Sequence, residues 1–141
     1  MKERIYRIID ANINRAKEGL RVCEEITRFI LDDSENTKRL KRVRHRITEI
    51  INSFLVDRIE LLAERESSSD VGRESSVTER TRANVQEIFW SNIQRVKESL
   101  RVLEEFAKLF DEKASENFKT VRFDVYALEK EILPRINTDG K

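Results

Sequence analysis

A triplet of asparagine, arginine and glutamate at three-residue spacing occurs twice in this sequence, as Asn12, Arg15, Glu18 and as Asn92, Arg95, Glu98. On a helix this spacing keeps side chains near one face. The asparagine and the arginine fall among apolar positions, so we expect both to be buried. A buried arginine needs a partner because an unpaired charge in a low-dielectric site is costly. The glutamates of the two triplets are the natural ion-pair partners.

Small residues accompany both triplets, namely Gly19 in the first and Ser99 in the second. A glycine in the middle of a helix costs roughly 1 kcal/mol relative to alanine. Its presence therefore indicates that a partner backbone or a ligand approaches the helix closely. Two interpretations stay open: the triplets form a ligand site, or they form a polar cluster that only sets the register of packed helices.

Two pairs of adjacent glutamates follow the triplets, at positions 24–25 and 104–105. Together they could bind magnesium between two helices. Adjacent helical positions diverge by about 100°, so one glutamate of each pair can face inward. We expect Glu24 and Glu104 to be exposed to solvent.

Basic residues crowd a third region: Lys38, Arg39, Lys41, Arg42, Arg44, His45 and Arg46. No aromatic residues interleave with them and they surround the whole helix, which disfavours a nucleic-acid patch. We expect a solvated face with one or two inward anion binders. His45 is the single histidine and could act as a general base, although a lone histidine is more typical of a surface or packing position.

A serine-rich segment at positions 65–77 reads RESSSDVGRESSV. Its hydroxyls and backbone amides could cradle a phosphate, with Arg65 and Gly72 beside it and Asp70 available for a metal or an amine. The alternative is a flexible hinge between two halves of the chain. No Walker-type or Rossmann glycine pattern occurs in the sequence.

Four helices are predicted by the apolar periodicity and the cap signals, at about 3–31, 34–64, 78–110 and 115–133. Ser34, Thr78 and Ser115 are the predicted N-caps, and Pro134 ends the last helix. The resulting division of the single domain is a first repeat at 3–64, the loop at 65–77, a second repeat at 78–133 and a frayed tail at 134–141.

An internal repeat relates the two halves. Asn12–Ile30 and Asn92–Phe110 share ten identities in 19 positions at an offset of 80, and weaker identity continues at an offset of 78 in the helix that follows each. Each half is therefore a helical hairpin. We predict an all-α fold in which two homologous hairpins form a bundle of four long helices with pseudo-twofold symmetry. The repeat is compatible with closure within one chain or with a homodimer.

The composition narrows the class of protein. Of 141 residues, 39% are charged, yet 28 Lys and Arg nearly balance 27 Asp and Glu, which disfavours nucleic acid as a partner. Three glycines and one proline are too few for a meander of short strands. A single cysteine fits a reducing, cytoplasmic setting. No uncharged run exceeds seven residues, so we expect neither export nor a membrane partner. We expect Cys23 and Trp90 to pack inside the protein.

These strings together resemble a known family: DANINRAKEGLRVCEEITRFIL, KRVRHRI, RESSSDVG, NIQRVKESLRVLEEFAKLF and FKTVRFDVYALEKEI. They are similar to the small helical domain that is fused to the amino terminus of some thiamine-phosphate synthases and also occurs by itself. The likeness extends from about Tyr6 to Ile132. It implies a stand-alone protein of thiamine biosynthesis, a kinase that converts hydroxymethylpyrimidine phosphate to the diphosphate with ATP and Mg²⁺. The alternative is a non-catalytic helical module that binds a phosphorylated thiamine precursor or assembles with thiamine-phosphate synthase.

The resemblance also implies roles for individual residues. Its pattern falls on Asn12, Arg15, Glu18, Arg21, Glu25, Arg44, His45, Arg65, Asp70, Gly72, Asn92, Arg95, Glu98, Arg101 and Glu105. In a kinase the arginines Arg15, Arg95 or Arg44 would clamp phosphates. Glu18, Glu98 or Asp70 would hold magnesium. Asn12 and Asn92 would read the edge of the aminopyrimidine ring.

Overall fold

The architecture is all-α, as predicted. The computed structural model describes residues 1–54 and 81–136, and within these ranges the chain forms four α-helices and no strand. The helices are α1, Lys2–Glu25; α2, Ser34–Phe54; α3, Val85–Ala107; and α4, Glu112–Ile132. A π-helical turn, Ile26–Ile30, extends α1, and a 3₁₀ turn, Leu133–Arg135, follows α4. This 3₁₀ turn contains Pro134, the residue predicted to end the last helix.

The turn between α1 and α2 is built from two aspartates. Asp32 has a φ of 50°, the left-handed conformation that commonly ends a helix. The Asp33 carboxylate accepts hydrogen bonds from the backbone N–H of Asn36 at 3.0 Å and from its side-chain amide at 2.7 Å. Asp33 therefore caps α2, and the predicted cap, Ser34, is the first residue of the helix.

The third helix begins later than predicted. Residues 81–84 are not helical, and α3 starts at Val85 behind Asn84, whose side-chain oxygen accepts a hydrogen bond from the N–H of Glu87 at 2.8 Å. The predicted start after Thr78 is therefore wrong, and Thr78 itself lies outside the described residues.

The fourth helix begins earlier than predicted. Asp111 is its N-cap and accepts a hydrogen bond from the N–H of Lys113 at 2.9 Å. Ser115 is not the cap. It is buried inside the helix, and its hydroxyl donates to the main-chain oxygen of Glu104 at 2.8 Å, which ties α4 to α3.

The four helices form a closed ring in the order α1, α2, α4, α3, so that the α1–α3 side lies opposite the α2–α4 side. The most extensive contact joins α1 to α3. These two helices are antiparallel, because Tyr6 near the start of α1 stacks on Phe110 just beyond α3 with ring centroids 5.4 Å apart. The pseudo-twofold axis between the hairpins stays a prediction.

An apolar core fills the ring. Its largest fully buried side chains are Phe89, Phe118, Ile9, Leu20, Leu40, Ile47, Ile50, Ile93, Leu100, Leu103, Leu128 and Ile132. Cys23 is buried among them, as predicted. Trp90 is not, because it is 51% exposed on the outer side of α3, and the prediction that it packs is wrong. Among residues 1–54 and 81–136, none of the helices combines the length and apolar character that a membrane crossing requires.

Candidate functional site

The two triplet asparagines have the same local role. Asn12 is buried and Asn92 is half-buried, and the side-chain amide of each donates to the carbonyl oxygen four residues earlier, Ile8 and Ile88, at 2.8 Å. The amide N–H groups are thus engaged by the helices that carry them. The predicted recognition of a pyrimidine edge would depend on the other atoms of these side chains.

The close approach indicated by Gly19 is made by a partner backbone within the bundle. A Cβ placed on Gly19 would lie 2.7 Å from Cγ2 of Val96 and 2.9 Å from the main-chain oxygen of Asn92. No ordinary Cβ contact is that short. The absence of a side chain at Gly19 therefore lets the backbone of α1 contact Val96 and the main chain of Asn92 in α3. This contact favours a packing role for Gly19 over a role in binding a ligand.

The arginines and glutamates of the two triplets are exposed to solvent: Arg15, Glu18, Arg95 and Glu98. The expectation of buried arginines is wrong. Because α1 and α3 approach so closely at Gly19, the interface has no room for a guanidinium group. Long side chains at its edge instead extend their charged ends into water.

The register of the two helices nevertheless brings these four residues to the same level of the bundle. Tyr6 stands opposite Phe110, and Gly19 stands opposite Asn92 and Val96. In this antiparallel register Arg15 lies level with Glu98, and Glu18 lies level with Arg95. We call this set of four the α1–α3 face. Acid and base alternate across it, on the outside of the bundle.

Two buried glutamates outside the triplets each form an ion pair with an arginine of the following helix. Arg44 of α2 donates to both carboxylate oxygens of Glu24 at 2.8 and 3.0 Å, and Arg122 of α4 donates to those of Glu104 at 2.8 and 3.4 Å. Glu24 and Glu104 are each only 6% exposed, so the prediction that they face solvent is wrong. Hydrogen bonding to the glutamate raises the pKa of each arginine, against an opposing effect of burial.

The internal repeat of the sequence contains a signal for these two ion pairs. Glu24 and Glu104 match at the repeat offset of 80, while Arg44 and Arg122 match at 78. An acid retained in one helix and a base retained in the next, in both halves, is the pattern expected of an interhelical ion pair. The consequence for function is that Arg44, a predicted phosphate ligand, is already held by a carboxylate.

Other positions of the family pattern remain on the surface. Arg21, Glu25, Arg101 and Glu105 are exposed. Arg101 donates to Glu105 at 2.9 Å across one helical turn, and hydrogen bonding from Lys108 lowers the pKa of Glu105. Such exposed pairs contribute little to stability.

A groove with a volume of about 480 Å³ runs between α2 and α4. We call it the α2–α4 groove. Its lining residues are Arg39, Arg42, Val43, His45, Arg46, Glu49, Asn117, Thr120, Val121, Asp124, Ala127 and Leu128. His45 is the one predicted site residue among them. That one or two residues of this basic helix bind an anion stays a prediction.

The predicted site residues are thus not all brought together. The α1–α3 face and the α2–α4 groove lie on opposite sides of the ring, with Arg44 paired between α1 and α2. Arg65, Asp70 and Gly72, with the loop at 65–77, lie outside the described residues. In the described part of the chain, no three His, Cys, Asp or Glu side chains are grouped so that they could hold a metal ion by themselves.

Comparison with known proteins gives a consistent result. The sequence model of the ThiD2 family matches residues 7–131. Proteins called thiamine-phosphate synthase are similar: that of Synechocystis is 39% identical over 92% of this chain, that of Nostoc punctiforme 37% over 92% and that of Rhodopirellula baltica 36% over 91%. The chain spans only 36%, 35% and 34% of those proteins, respectively. No solved structure matches it.

Proposed function

The chain belongs to the ThiD2 family, and from that premise we propose that it acts in thiamine biosynthesis as a kinase of hydroxymethylpyrimidine phosphate. A phosphate oxygen of this substrate would attack the γ-phosphorus of ATP. The bond from that phosphorus to the β–γ bridging oxygen would break, giving the pyrimidine diphosphate and ADP. The observation that carries the proposal is the family match over residues 7–131, supported by relatives that are named for thiamine phosphate chemistry.

Phosphoryl transfer asks a protein mainly for positioning and for neutralisation of oxygen charge. Magnesium typically takes one or two carboxylates together with the phosphates of the nucleotide. For transfer at the α1–α3 face, the exposed carboxylates of Glu18 and Glu98 fit that donor set, and Asp70 is the third candidate from the resemblance. When bound, Mg²⁺ would neutralise phosphate charge, and the chain itself would supply arginines to orient the phosphates.

Two surfaces compete for this role. The α1–α3 face offers Arg15 and Arg95 next to carboxylates, and the α2–α4 groove offers a concave site with arginines and His45. Because they lie on opposite sides of the bundle, in-line transfer can take place at only one of them.

The activity is tested by ³¹P NMR on the full chain with ATP, Mg²⁺ and hydroxymethylpyrimidine phosphate. We expect resonances of the pyrimidine diphosphate to grow together with those of ADP. A parallel sample without the pyrimidine measures ATP hydrolysis as the control. If ADP forms equally in both samples and no second diphosphate appears, the kinase proposal is wrong.

A second candidate function is a non-catalytic module that binds a phosphorylated thiamine precursor or assembles with thiamine-phosphate synthase. The specific observation in its favour is that the similar proteins contain an equivalent segment as only 35–36% of their length. Thermal protection of the chain by hydroxymethylpyrimidine phosphate without turnover would support the binding role. Co-elution with purified thiamine-phosphate synthase in gel filtration would support assembly, and the same experiment reports whether the chain is a homodimer.

A further inference from the structure

The arginines of α2 divide into two kinds. Arg44 is held by Glu24, and Arg39 is held by Glu131 and by the side-chain oxygen of Asn36. Arg42, in contrast, forms no hydrogen bond or ion pair with any residue of the described ranges. This arginine is therefore available to a ligand.

Arg42 has a neighbour of the same kind one turn along. Arg46 follows it by four residues, a spacing that places the two Cβ atoms about 6 Å apart on one side of a helix. The contact of Arg46 to Glu49 is exposed and long, at 3.4 Å. His45 lines the same groove, and it also lacks a hydrogen-bond partner within the described residues. Two guanidinium groups and an imidazole thus border one concave surface.

The opposite wall of the groove is supplied by α4. Asn117, Thr120 and Asp124 repeat at spacings of three and four and present an amide, a hydroxyl and a carboxylate. Asp124 is exposed and forms no ion pair with the arginines across the groove, since none of the described pairs includes it. Its carboxylate is therefore open to a donor that a ligand supplies. Val121 and Leu128 are buried and give the groove an apolar base.

The size and charge of the groove define the ligand class. A volume of about 480 Å³ is typical of small-molecule sites. Three arginines stand against two carboxylates, so the positive charge is local and modest, which suits one phosphate group better than a polyanion. Phosphate recognition needs charge-assisted donors, and arginine provides them in a fork that matches the phosphate oxygens.

We propose that the α2–α4 groove binds a phosphomonoester whose apolar body carries an amino group. Arg42 and Arg46 bind the phosphate, the ring or chain of the ligand lies on Val121 and Leu128, and Asp124 accepts a hydrogen bond from the amine. The class of ligand is inferred from the lining residues and the volume of the groove. Only the identification of the ligand as hydroxymethylpyrimidine phosphate rests on the proposed function.

The test locates the ligand without relying on catalysis. Hydroxymethylpyrimidine phosphate is titrated into the ¹⁵N-labelled full chain in the absence of ATP, with the dephosphorylated alcohol and inorganic phosphate as separate titrants. We expect amide shifts to concentrate at residues 39–49 and 117–128. The alcohol and the free phosphate should each bind more weakly than the ester. Shifts confined to residues near Arg15 and Arg95, or no shifts with the ester, would overturn the proposal.

A pair of variants separates the effect of losing a cation in the groove from the effect of losing any positive charge on this helix. Arg42→Gln removes a cation that lines the groove, whereas Lys41→Gln removes an exposed cation from the neighbouring position of the same helix, outside the groove. Loss of a charge-assisted phosphate contact should raise Kd for the ester about tenfold or more in Arg42→Gln. Lys41→Gln should stay within about twofold. Equal effects of the two substitutions would contradict the assignment.

Failure of this inference is distinguishable from failure of the kinase proposal. If the ester binds in the groove and no diphosphate forms, the groove inference is supported and the kinase proposal is wrong. If diphosphate forms and the amide shifts lie on the α1–α3 face, the kinase proposal is supported and the groove inference is wrong.

Discussion

The buried pair of Arg44 and Glu24 offers a direct test of how the first hairpin is held together. Replacing Arg44 by methionine keeps most of the aliphatic volume but removes the donors at 2.8 and 3.0 Å from the glutamate. Glu24, at 6% exposure, then keeps a carboxylate without its partner. Breaking a buried pair on one side costs about 3–5 kcal/mol. Because Arg44 retains 17% of its exposure, we expect the lower end, about 3 kcal/mol.

Urea denaturation followed by circular dichroism measures this free energy. The matched control is Arg46→Met on the same helix, because Arg46 is 46% exposed and its contact to Glu49 is 3.4 Å long. That substitution should change the free energy of unfolding by less than about 1 kcal/mol. The double variant Glu24→Leu, Arg44→Met should recover most of the loss, since an apolar pair of similar volume needs no partner. Equal losses for Arg44→Met and Arg46→Met would refute the description of a buried pair.

Three further predictions concern other parts of the bundle. Gly19→Ala should destabilise the protein, because overpacking against α3 costs about 1–3 kcal/mol and offsets the roughly 1 kcal/mol gained in helix propensity; a more stable variant in urea denaturation would contradict the close approach. The pKa of Asp33 is lowered, since hydrogen bonds from Asn36 and the charge of Arg135 outweigh the opposing effect of burial. The Asp33 carboxylate therefore stabilises the folded protein fully above its ordinary pKa of 3.8, and this stabilisation is lost as the pH falls through the lowered pKa of the folded state. The difference in free energy of unfolding between wild type and Asp33→Asn should shrink over that acidic range. A difference that stays constant down to pH 2 would contradict the lowered pKa. Burial raises the pKa of Cys23, so its thiol should react with Ellman's reagent only as fast as the protein unfolds, and immediate labelling of the native chain would show that it is accessible.

The elements of this fold were accessible from the sequence because periodicity and the repeat report on each helix separately. The helix ends were less so. In the string Asp32, Asp33, Ser34, three strong cap formers are adjacent, and their preferences differ too little to choose among them. The left-handed backbone of Asp32 and the paired hydrogen bonds from Asn36 to Asp33 decide the outcome, and residue type alone specifies neither.

The site was harder to predict, for a related reason. A helical projection describes one helix and does not include the position of its neighbours. Glu24 points away from the apolar arc of α1 and yet is buried, because α2 packs there and brings Arg44. Arg15 lies within the projected arc and yet reaches solvent, because the contact at Gly19 is too close for it. Arg42 becomes notable only when α4 supplies the facing wall of a groove.

The central claim, that this chain acts on a pyrimidine phosphate held in the α2–α4 groove, is tested most directly by the turnover of two variants. Formation of hydroxymethylpyrimidine diphosphate from ATP is followed for wild type, Arg42→Gln and Lys41→Gln at a substrate concentration below KM. The account predicts that Arg42→Gln loses about tenfold or more of kcat/KM while Lys41→Gln matches wild type. Equal rates in all three proteins, or no diphosphate from wild type, would contradict it.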